Sequence, residues 1–223
     1  MADNDVVDVQ LSDTLCHGAQ KHGMTREEVF RYYDNWADRY DKDLHDLNYN
    51  GPRQCAEALA EVLSGNKAAR ILDVAAGTGL CATELLKLGY TNLDAIDGSQ
   101  GMLDIAKSRN LYHRYICDFL GPRRLDIEDD HYDAIACCGS FSQGHLKDDC
   151  FPELIRIVKP GGLICIAMRE EFLHTVEAYR GKLEPAMVAL ENKGCWERIA
   201  RDIVPKFYRE KDGVVFIYRV LAQ

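Results

Sequence analysis

The stretch ILDVAAGTG, residues 71–79, decides the fold. Its first four residues form a short apolar run of the kind found in a buried strand, and glycines at 77 and 79 follow at once. Glycine lets the backbone approach a ligand closely, and the free amides at the start of a helix attract polar or anionic groups. The stretch therefore predicts a strand, a ligand-binding loop and a helix, with the ligand beyond the carboxyl end of the strand.

Strand and helix signals continue to alternate along the chain. Short apolar runs alternate with amphipathic segments, and one longer helix is expected over about 171–192. Two last strands are joined by so short a turn that they must be antiparallel. The pattern predicts an α/β, Rossmann-like fold: a seven-stranded, mostly parallel sheet with one antiparallel hairpin strand and helices on both faces. The predicted strands cover residues 71–74, 93–96, 112–117, 133–138, 163–168, 196–207 and 214–221.

Two helices are predicted before the first strand. Thr25 and Glu28 form a capping-box pattern, and an apolar stripe with spacings of three and four runs from Val29 to Leu47. A second helix begins at Pro52, which suits a first turn. The first 24 residues start with an acidic segment and resemble neither a signal peptide nor an apolar helix. We expect a flexible tail over 1–24 and a single domain over 25–223, with cover helices over 25–66 and a Rossmann-like core over 67–223.

The composition argues against several classes of function. The chain has 223 residues and a formal net charge of −9, which disfavours DNA or RNA as a substrate. No apolar run is long enough to span a bilayer, so no membrane partner is expected. The nine cysteines are scattered, and none are paired at the two-residue spacing of a zinc or redox site. These features predict a reduced, cytoplasmic protein without a metal, for which access to the nucleus stays open.

The glycine loop alone leaves two cofactor classes open. Gly77-x-Gly79-x-x-Ala82 fits the dinucleotide fingerprint, and Asp97 lies 20 residues after Gly77, where an acid binds ribose in either class. Asp73 at the end of the first strand could hold an amino group, which a dinucleotide loop does not need. Asp118 beside Phe119 could bind and cover an adenine ring. These two sites and the final hairpin argue against a nicotinamide enzyme.

Five segments together resemble the class I S-adenosylmethionine-dependent methyltransferases: LDVAAGTG (72–79), AIDGSQGML (95–103), ICDF (116–119), YDAIACCGSFS (132–142) and IVKPGGLICIAMR (157–169). The resemblance implies a methyltransferase with S-adenosylmethionine as cofactor and S-adenosylhomocysteine as product. It also implies roles for individual residues. Asp73 and the backbone around Ala75 and Gly77 would hold the methionine part, Asp97 the ribose, Gly98, Ser99 and Met102 the adenosine, Asp118 and Phe119 the adenine, and Cys138 to Ser140 the sulfonium.

The resemblance leaves several positions open. Tyr33, Trp36 and Tyr40 form a stripe that either packs in the core or covers the cofactor, whose sulfonium favours aromatic faces. Arg53 would pair with the cofactor carboxylate, or else be solvated. Ala75 stands where many members of the family have glycine.

The acceptor is not specified by any motif. Methyl transfer needs alignment more than it needs an acid or a base, and His145 is the candidate base, with a structural role as the alternative. The fourth strand is not followed by the Asn/Asp-Pro-Pro-Tyr/Phe motif of many enzymes that methylate planar nitrogen. We expect a small-molecule acceptor, with a protein as the second possibility. A regulatory protein that binds the cofactor without turnover and an NAD-dependent oxidoreductase are the alternatives.

Overall fold

The computed structural model describes residues 2–222, with side chains described from residue 10 onward. Three helices precede the sheet, and strands and helices then alternate. Within the described part of the chain, no helix combines the length and apolar character needed to cross a bilayer. The elements are α1 (Ala2–Gly18), α2 (Arg26–Asp46), α3 (Gly51–Val62), β1 (Ile71–Val74), α4 (Leu80–Lys87), β2 (Leu93–Asp97), α5 (Gln100–Ser108), β3 (Arg114–Cys117), β4 (Tyr132–Cys138), α6 (Phe151–Ile157), β5 (Val158–Arg169), α7 (Phe172–Thr175), α8 (Leu183–Asn192), β6 (Trp196–Tyr208) and β7 (Lys211–Val220).

The sheet has the order β3-β2-β1-β4-β5-β7-β6. All pairs from β3 to β5 are parallel, whereas β7 runs antiparallel to both of its neighbours. This arrangement confirms the predicted seven-stranded sheet with one antiparallel hairpin strand. The order reverses direction between β1 and β4, and in such sheets the crevice beyond the carboxyl ends of these strands is the usual ligand site.

Two apolar layers cover the faces of the sheet. Side chains alternate along β4, so that Ala134 and Ala136 join one layer while Ile135 and Cys137 join the other. The first layer contains side chains of α3, α4 and α5, and the second contains side chains of α6 and α8. The small alanines allow α3 to lie close to the sheet, and so bring the cover helices next to the ligand crevice.

Helix α2 is fixed by polar contacts as well as by its apolar stripe. The predicted capping box is present, with Glu28 N donating to Thr25 and Thr25 N donating to Glu28. Asp34 accepts from Ser99 Oγ at 2.6 Å and from the amide of Gly101 at 2.9 Å. These two bonds attach α2 to the first turn of α5, directly after β2.

Asp41 makes a second attachment seven residues further along α2. It accepts from Thr78 Oγ1 at 2.5 Å and pairs with Arg109 at 2.6 Å. Thr78 belongs to the glycine loop, so this contact attaches α2 to the loop after β1. Together with Asp34, it holds one helix against two loops of the ligand crevice.

The N-terminal segment contains a helix, α1, over residues 2–18, and the flexibility expected of residues 1–24 stays a prediction. Cys16 and Ala19 are buried, and Ser12 Oγ donates to Asp43 of α2 at 2.9 Å. The sequence of α1 has no continuous apolar stripe, so its stability depends on these tertiary contacts, which a helical pattern does not reveal. The division into a core and cover helices stays a prediction.

The single long helix expected over 171–192 is wrong, because two shorter helices, α7 and α8, occupy this region. Gly181 between them has a φ of +64°, a left-handed conformation that ends helical geometry. Pro185 lies in the first turn of α8, where its missing N–H costs no hydrogen bond. The apolar spacing continues across the break, which is why the pattern predicts one helix.

Candidate active site

A cavity of about 320 Å³ opens at the carboxyl ends of the parallel strands. We call it the first cavity. Its walls come from the loops after β1, β2, β3 and β4 and from α2, which covers it. Most of the residues predicted from the sequence meet here: Tyr33, Tyr40, Ala75, Gly77, Asp97, Gly98, Met102, Asp118, Phe119, Cys138, Gly139, Ser140 and His145 all line it.

The glycine loop turns sharply under the cavity. Ala75, Gly77 and Gly79 have φ angles of +53°, +56° and +90°, all in the left-handed region. Glycine adopts this region freely, whereas an alanine is strained there by roughly 1 kcal/mol. This strain is the physical consequence of the departure from glycine at Ala75. The loop keeps its shape because Asp97 accepts a hydrogen bond from the amide of Gly77 at 2.8 Å.

Asp97 occupies the centre of the cavity wall. Its second carboxylate oxygen accepts from the amide of Ser99 at 2.8 Å. The carboxylate therefore joins the loop after β1 to the start of α5, and each oxygen keeps a further lone pair for a ligand. Burial raises the pKa of Asp97, while its bonds to the backbone amides oppose that change.

Asp118 and Phe119 form the other end of the cavity. Asp118 accepts from the amide of Phe119 at 2.8 Å and pairs with Arg123. Arg26 and Arg123 lie over the Phe119 ring at 3.8 and 4.6 Å from its centroid. Neither arginine is predicted from the sequence, where the only signal is their position near the ends of predicted elements.

Four predicted site residues do not line the first cavity. Trp36 is buried behind Tyr33 and donates to Asp43 at 2.7 Å. Ser99 is buried as the cap of α5. Arg53 is exposed and pairs with Glu57, one helical turn away on α3, at 3.2 Å. None of the three reaches the cavity, because each already has a partner on its own side of the fold.

Asp73 is the fourth of these residues. It is 1% exposed and accepts from the Tyr112 hydroxyl at 2.7 Å. Burial raises its pKa to about 7, although the Tyr112 hydrogen bond opposes this rise. In the structure, the buried Asp73 carboxylate is bonded to Tyr112 and supports the glycine loop that follows β1.

The raised pKa of Asp73 makes stability depend on pH. The folded protein holds a proton on Asp73 that the unfolded chain releases near pH 4, so the free energy of unfolding falls as pH rises from about 4 to 7. Asp73→Asn should reduce this fall between about pH 4 and 7 by roughly 3 kcal/mol, measured by urea unfolding. Asp104→Asn, an exposed control on α5, should keep the wild-type slope. An unchanged slope in Asp73→Asn would show that Asp73 is ionised throughout.

His145 lies in the loop after β4, at the mouth of the cavity. Its Nδ1 lies 2.8 Å from the carbonyl oxygen of Gln143, which can only accept, so Nδ1 carries the proton. Its Nε2 then accepts from the Tyr33 hydroxyl at 2.8 Å. Burial lowers the pKa of His145, which keeps the ring neutral at neutral pH.

Comparisons with known proteins agree with this geometry. A family model described as a methyltransferase domain matches residues 71–162. Human Methyltransferase-like protein 27 is 39% identical over 171 residues, which cover 76% of this chain and 69% of that protein. A demethylmenaquinone methyltransferase of Renibacterium salmoninarum is 28% identical over 174 residues, which cover 75% of this chain and 70% of that protein.

A solved structure shares the fold at low identity. It is the Burkholderia thailandensis 1,6-didemethyltoxoflavin-N1-methyltransferase with bound 1,6-didemethyltoxoflavin and S-adenosylhomocysteine. The TM-score is 0.62 and the identity 16%, over 91% of this chain and 92% of that chain. The family resemblance drawn from the five sequence segments is confirmed by the human relative and the family model: this chain is an enzyme that belongs to the class I S-adenosylmethionine-dependent methyltransferases.

Proposed function

We propose that the first cavity binds S-adenosylmethionine and that the enzyme transfers its methyl group to a small molecule. The observation that carries this proposal is the convergence of Asp97, Asp118 and the loop at Gly77 on one cavity. Its volume lies at the lower end of the range for small-molecule sites. When bound, the cofactor supplies an electrophilic methyl carbon, and the residues of this chain provide binding and alignment.

The residues present fit this cofactor. Asp97 is held by two backbone amides, in an orientation that lets its remaining lone pairs accept from ribose hydroxyls. Asp118 and Phe119 offer an acceptor beside an aromatic face for adenine. Gly98 has no space for a side chain, since an added Cβ would lie 2.2 Å from the Phe30 ring, so its backbone forms the wall. We assign cofactor contact to Tyr40, Ala75, Gly77, Asp97, Gly98, Met102, Asp118, Phe119 and Cys138.

Two kinds of evidence support a small-molecule acceptor. The net charge of −9 disfavours nucleic acid. Two of the reported relatives are named for small substrates, demethylmenaquinone and 1,6-didemethyltoxoflavin. The free cysteines of this chain support a cytoplasmic location as part of the same proposal.

The test is a pair of calorimetric titrations, one with S-adenosylhomocysteine and one with oxidised nicotinamide dinucleotide. We expect the first ligand to bind at micromolar concentrations and the second not to bind. Transfer of a labelled methyl group from S-adenosylmethionine is then followed in a cell extract separated into small molecules and proteins. Binding of the dinucleotide alone would refute the cofactor assignment, and label confined to the protein fraction would refute the acceptor class.

We further propose that His145 takes up the proton that the acceptor loses, through the Tyr33 hydroxyl. Tyr33 donates to the neutral Nε2, so its oxygen can accept a proton from the cavity side while its own proton passes to the ring. A bound cofactor would supply the methyl carbon, and an acceptor that is protonated would need such a path for the proton it loses. Acidification would protonate Nε2, which could then no longer accept a proton from the Tyr33 hydroxyl.

This relay predicts the titration of His145. Its pKa, measured by NMR on the imidazole protons, should lie below the ordinary 6.5. Tyr33→Phe should raise that pKa, because the neutral ring loses its hydrogen-bond donor. A His145 pKa at or above 6.5 in the wild type, or no change in Tyr33→Phe, would remove the Tyr33–His145 bond from the mechanism.

A further inference from the structure

A second cavity of about 60 Å³ adjoins the first. Tyr33, Tyr40 and Gly139 line both cavities and form the wall between them. Cys138 and Ser140, which flank Gly139 at the end of β4, face the first cavity. A molecule in the second cavity therefore approaches the cofactor site from the side where the methyl group is expected.

The second cavity is a slot between flat walls. Trp36 stacks on Tyr33 with ring centroids 5.9 Å apart and an interplanar angle of 25°. Tyr49 and Phe207 also line the cavity and meet edge to face at 5.5 Å. Such faces favour a flat, conjugated molecule over a bulky saturated one. Aromatic side chains from the loop after β4 and from β6 and α7 complete the slot: Phe141, Phe172, Phe207 and Tyr208.

Two polar groups face this aromatic slot. The Arg169 Nε and the Tyr208 hydroxyl are buried and, among the described residues, make no hydrogen bond of ordinary geometry. The nearest group to the Tyr208 hydroxyl is the Cys16 thiol, a weak partner. Buried polar groups in folded proteins nearly always have partners. An oxygen atom placed in the slot would accept from both groups.

The charges around Arg169 favour an anionic ligand in the slot. Its guanidinium lies over the rings of Phe172 and Tyr208 at 4.5 and 4.7 Å from their centroids and pairs with Glu171. Glu171 also pairs with Lys211 at 3.0 Å. One carboxylate thus faces two cations, while the other nearby carboxylates, Asp13 and Asp43, are paired with Arg209 and Arg39. An oxyanion at Arg169 would balance the remaining positive charge.

The slot is covered by α1 and the turn after it. Cys16 and Gln20 close it from outside. The cover is held by a buried hydrogen bond from Ser12 to Asp43 at 2.9 Å and by an exposed ion pair between Arg209 and Asp13 at 2.9 Å. A cavity of about 150 Å³ is needed to hold a benzene ring, so a ring enters this slot only when the cover shifts outward.

We propose that the second cavity is the acceptor site, that it takes a flat, conjugated small molecule carrying an oxyanion, and that Arg169 and Tyr208 bind this oxyanion. The proposal rests on the proposed function of the first cavity. Trp36 and Tyr49 both line the slot, and Gly139 lies in the wall between the two cavities, so the part of the bound molecule that reaches Gly139 faces the first cavity.

The test uses the full chain saturated with S-adenosylhomocysteine and three probes. 2-Naphthoate is flat and anionic, 2-naphthamide is flat and neutral, and decalin-2-carboxylate is anionic and not flat. Calorimetry should show 2-naphthoate binding roughly ten-fold more tightly than either of the others. Because Trp36 forms a wall of the slot whereas Trp196 lies in the distant core, quenching of tryptophan fluorescence reports the same event.

Variants separate the possible outcomes. Arg169→Gln should lose the preference for 2-naphthoate over 2-naphthamide, and Tyr208→Phe should weaken 2-naphthoate roughly five-fold, while both keep their affinity for S-adenosylhomocysteine. Arg201→Gln, on the exposed face of β6, carries the same charge change and should behave as the wild type. If S-adenosylhomocysteine binds but 2-naphthoate does not, or binds equally to Arg169→Gln, the acceptor site is refuted. If S-adenosylhomocysteine itself fails to bind, the proposed function is refuted instead.

Discussion

Asp97→Ala is expected to lower the affinity for S-adenosylhomocysteine by roughly 100-fold, measured by calorimetry. Hydrogen bonds to a charged group contribute about 1.5–3 kcal/mol each, and the loss of two to the ribose corresponds to about 3 kcal/mol. The substitution also removes the acceptor for the amides of Gly77 and Ser99, so the loop itself loses its shape. These amides border the cavity and can bind water, so we expect the domain to remain folded.

The matched control for this prediction is Asp104→Ala. Asp104 lies on the exposed side of α5 and accepts from Gln100 at 2.8 Å, and its removal changes the net charge by the same amount. It should bind S-adenosylhomocysteine as the wild type does. A normal melting curve together with unchanged affinity in Asp97→Ala would exclude Asp97 from the site. Asp97→Asn, which keeps the shape of the side chain, serves if the alanine variant unfolds.

Gly139→Ala is expected to lower the free energy of unfolding by about 2–4 kcal/mol. Gly139 has a φ of +71°, and an added Cβ would lie 2.3 Å from the Tyr49 hydroxyl. That hydroxyl cannot move aside easily, because Tyr49 packs on Phe207 and contacts the Cys138 thiol at 3.3 Å. The variant should also lose methyl transfer, since Gly139 belongs to the wall between the two cavities.

Gly144→Ala separates the two causes of the lower free energy of unfolding, which are the backbone conformation and the contact with Tyr49. Gly144 has a φ of +82°, but an added Cβ would meet nothing within 4 Å. It should therefore lose only the backbone contribution, about 1 kcal/mol in urea unfolding. Equal losses in the two variants would show that the Tyr49 contact carries no weight and that the wall between the cavities is easily deformed.

The parts of the fold that repeat with a regular period were predictable from the sequence. The strand at 71–74, the glycine loop and the acid at Asp97 are close in sequence, and their roles depend on local backbone geometry. Helix α1 was not predictable in this way, because its stability comes from Asp43 and from other residues far along the chain. The break at Gly181 was hidden because the apolar period continues across it.

The limits of prediction are clearest at the site. Cavity-lining residues such as Asp118 and Phe119 follow strands directly, so the topology alone brings them to one edge. Arg53 was assigned by resemblance and Asp73 by its position at the end of β1 as well, and the structure gives each a partner, Glu57 and Tyr112. Single-sequence patterns do not encode such side-chain pairs. Arg169 was not predicted as a site residue, because its proposed role depends partly on Tyr208, which lies far along the chain.

The attachments of α2 have a thermodynamic consequence. Asp34 and Asp41 fix this helix to the start of α5 and to the glycine loop, the same two segments that Asp97 joins. A ligand that orders these segments also orders the helix, and linkage makes the effect reciprocal. Cofactor binding should therefore slow hydrogen exchange along α2, and the acceptor slot, whose wall includes Trp36 of that helix, should be completed only afterwards. This coupling would make the affinities of the two cavities depend on each other through one helix.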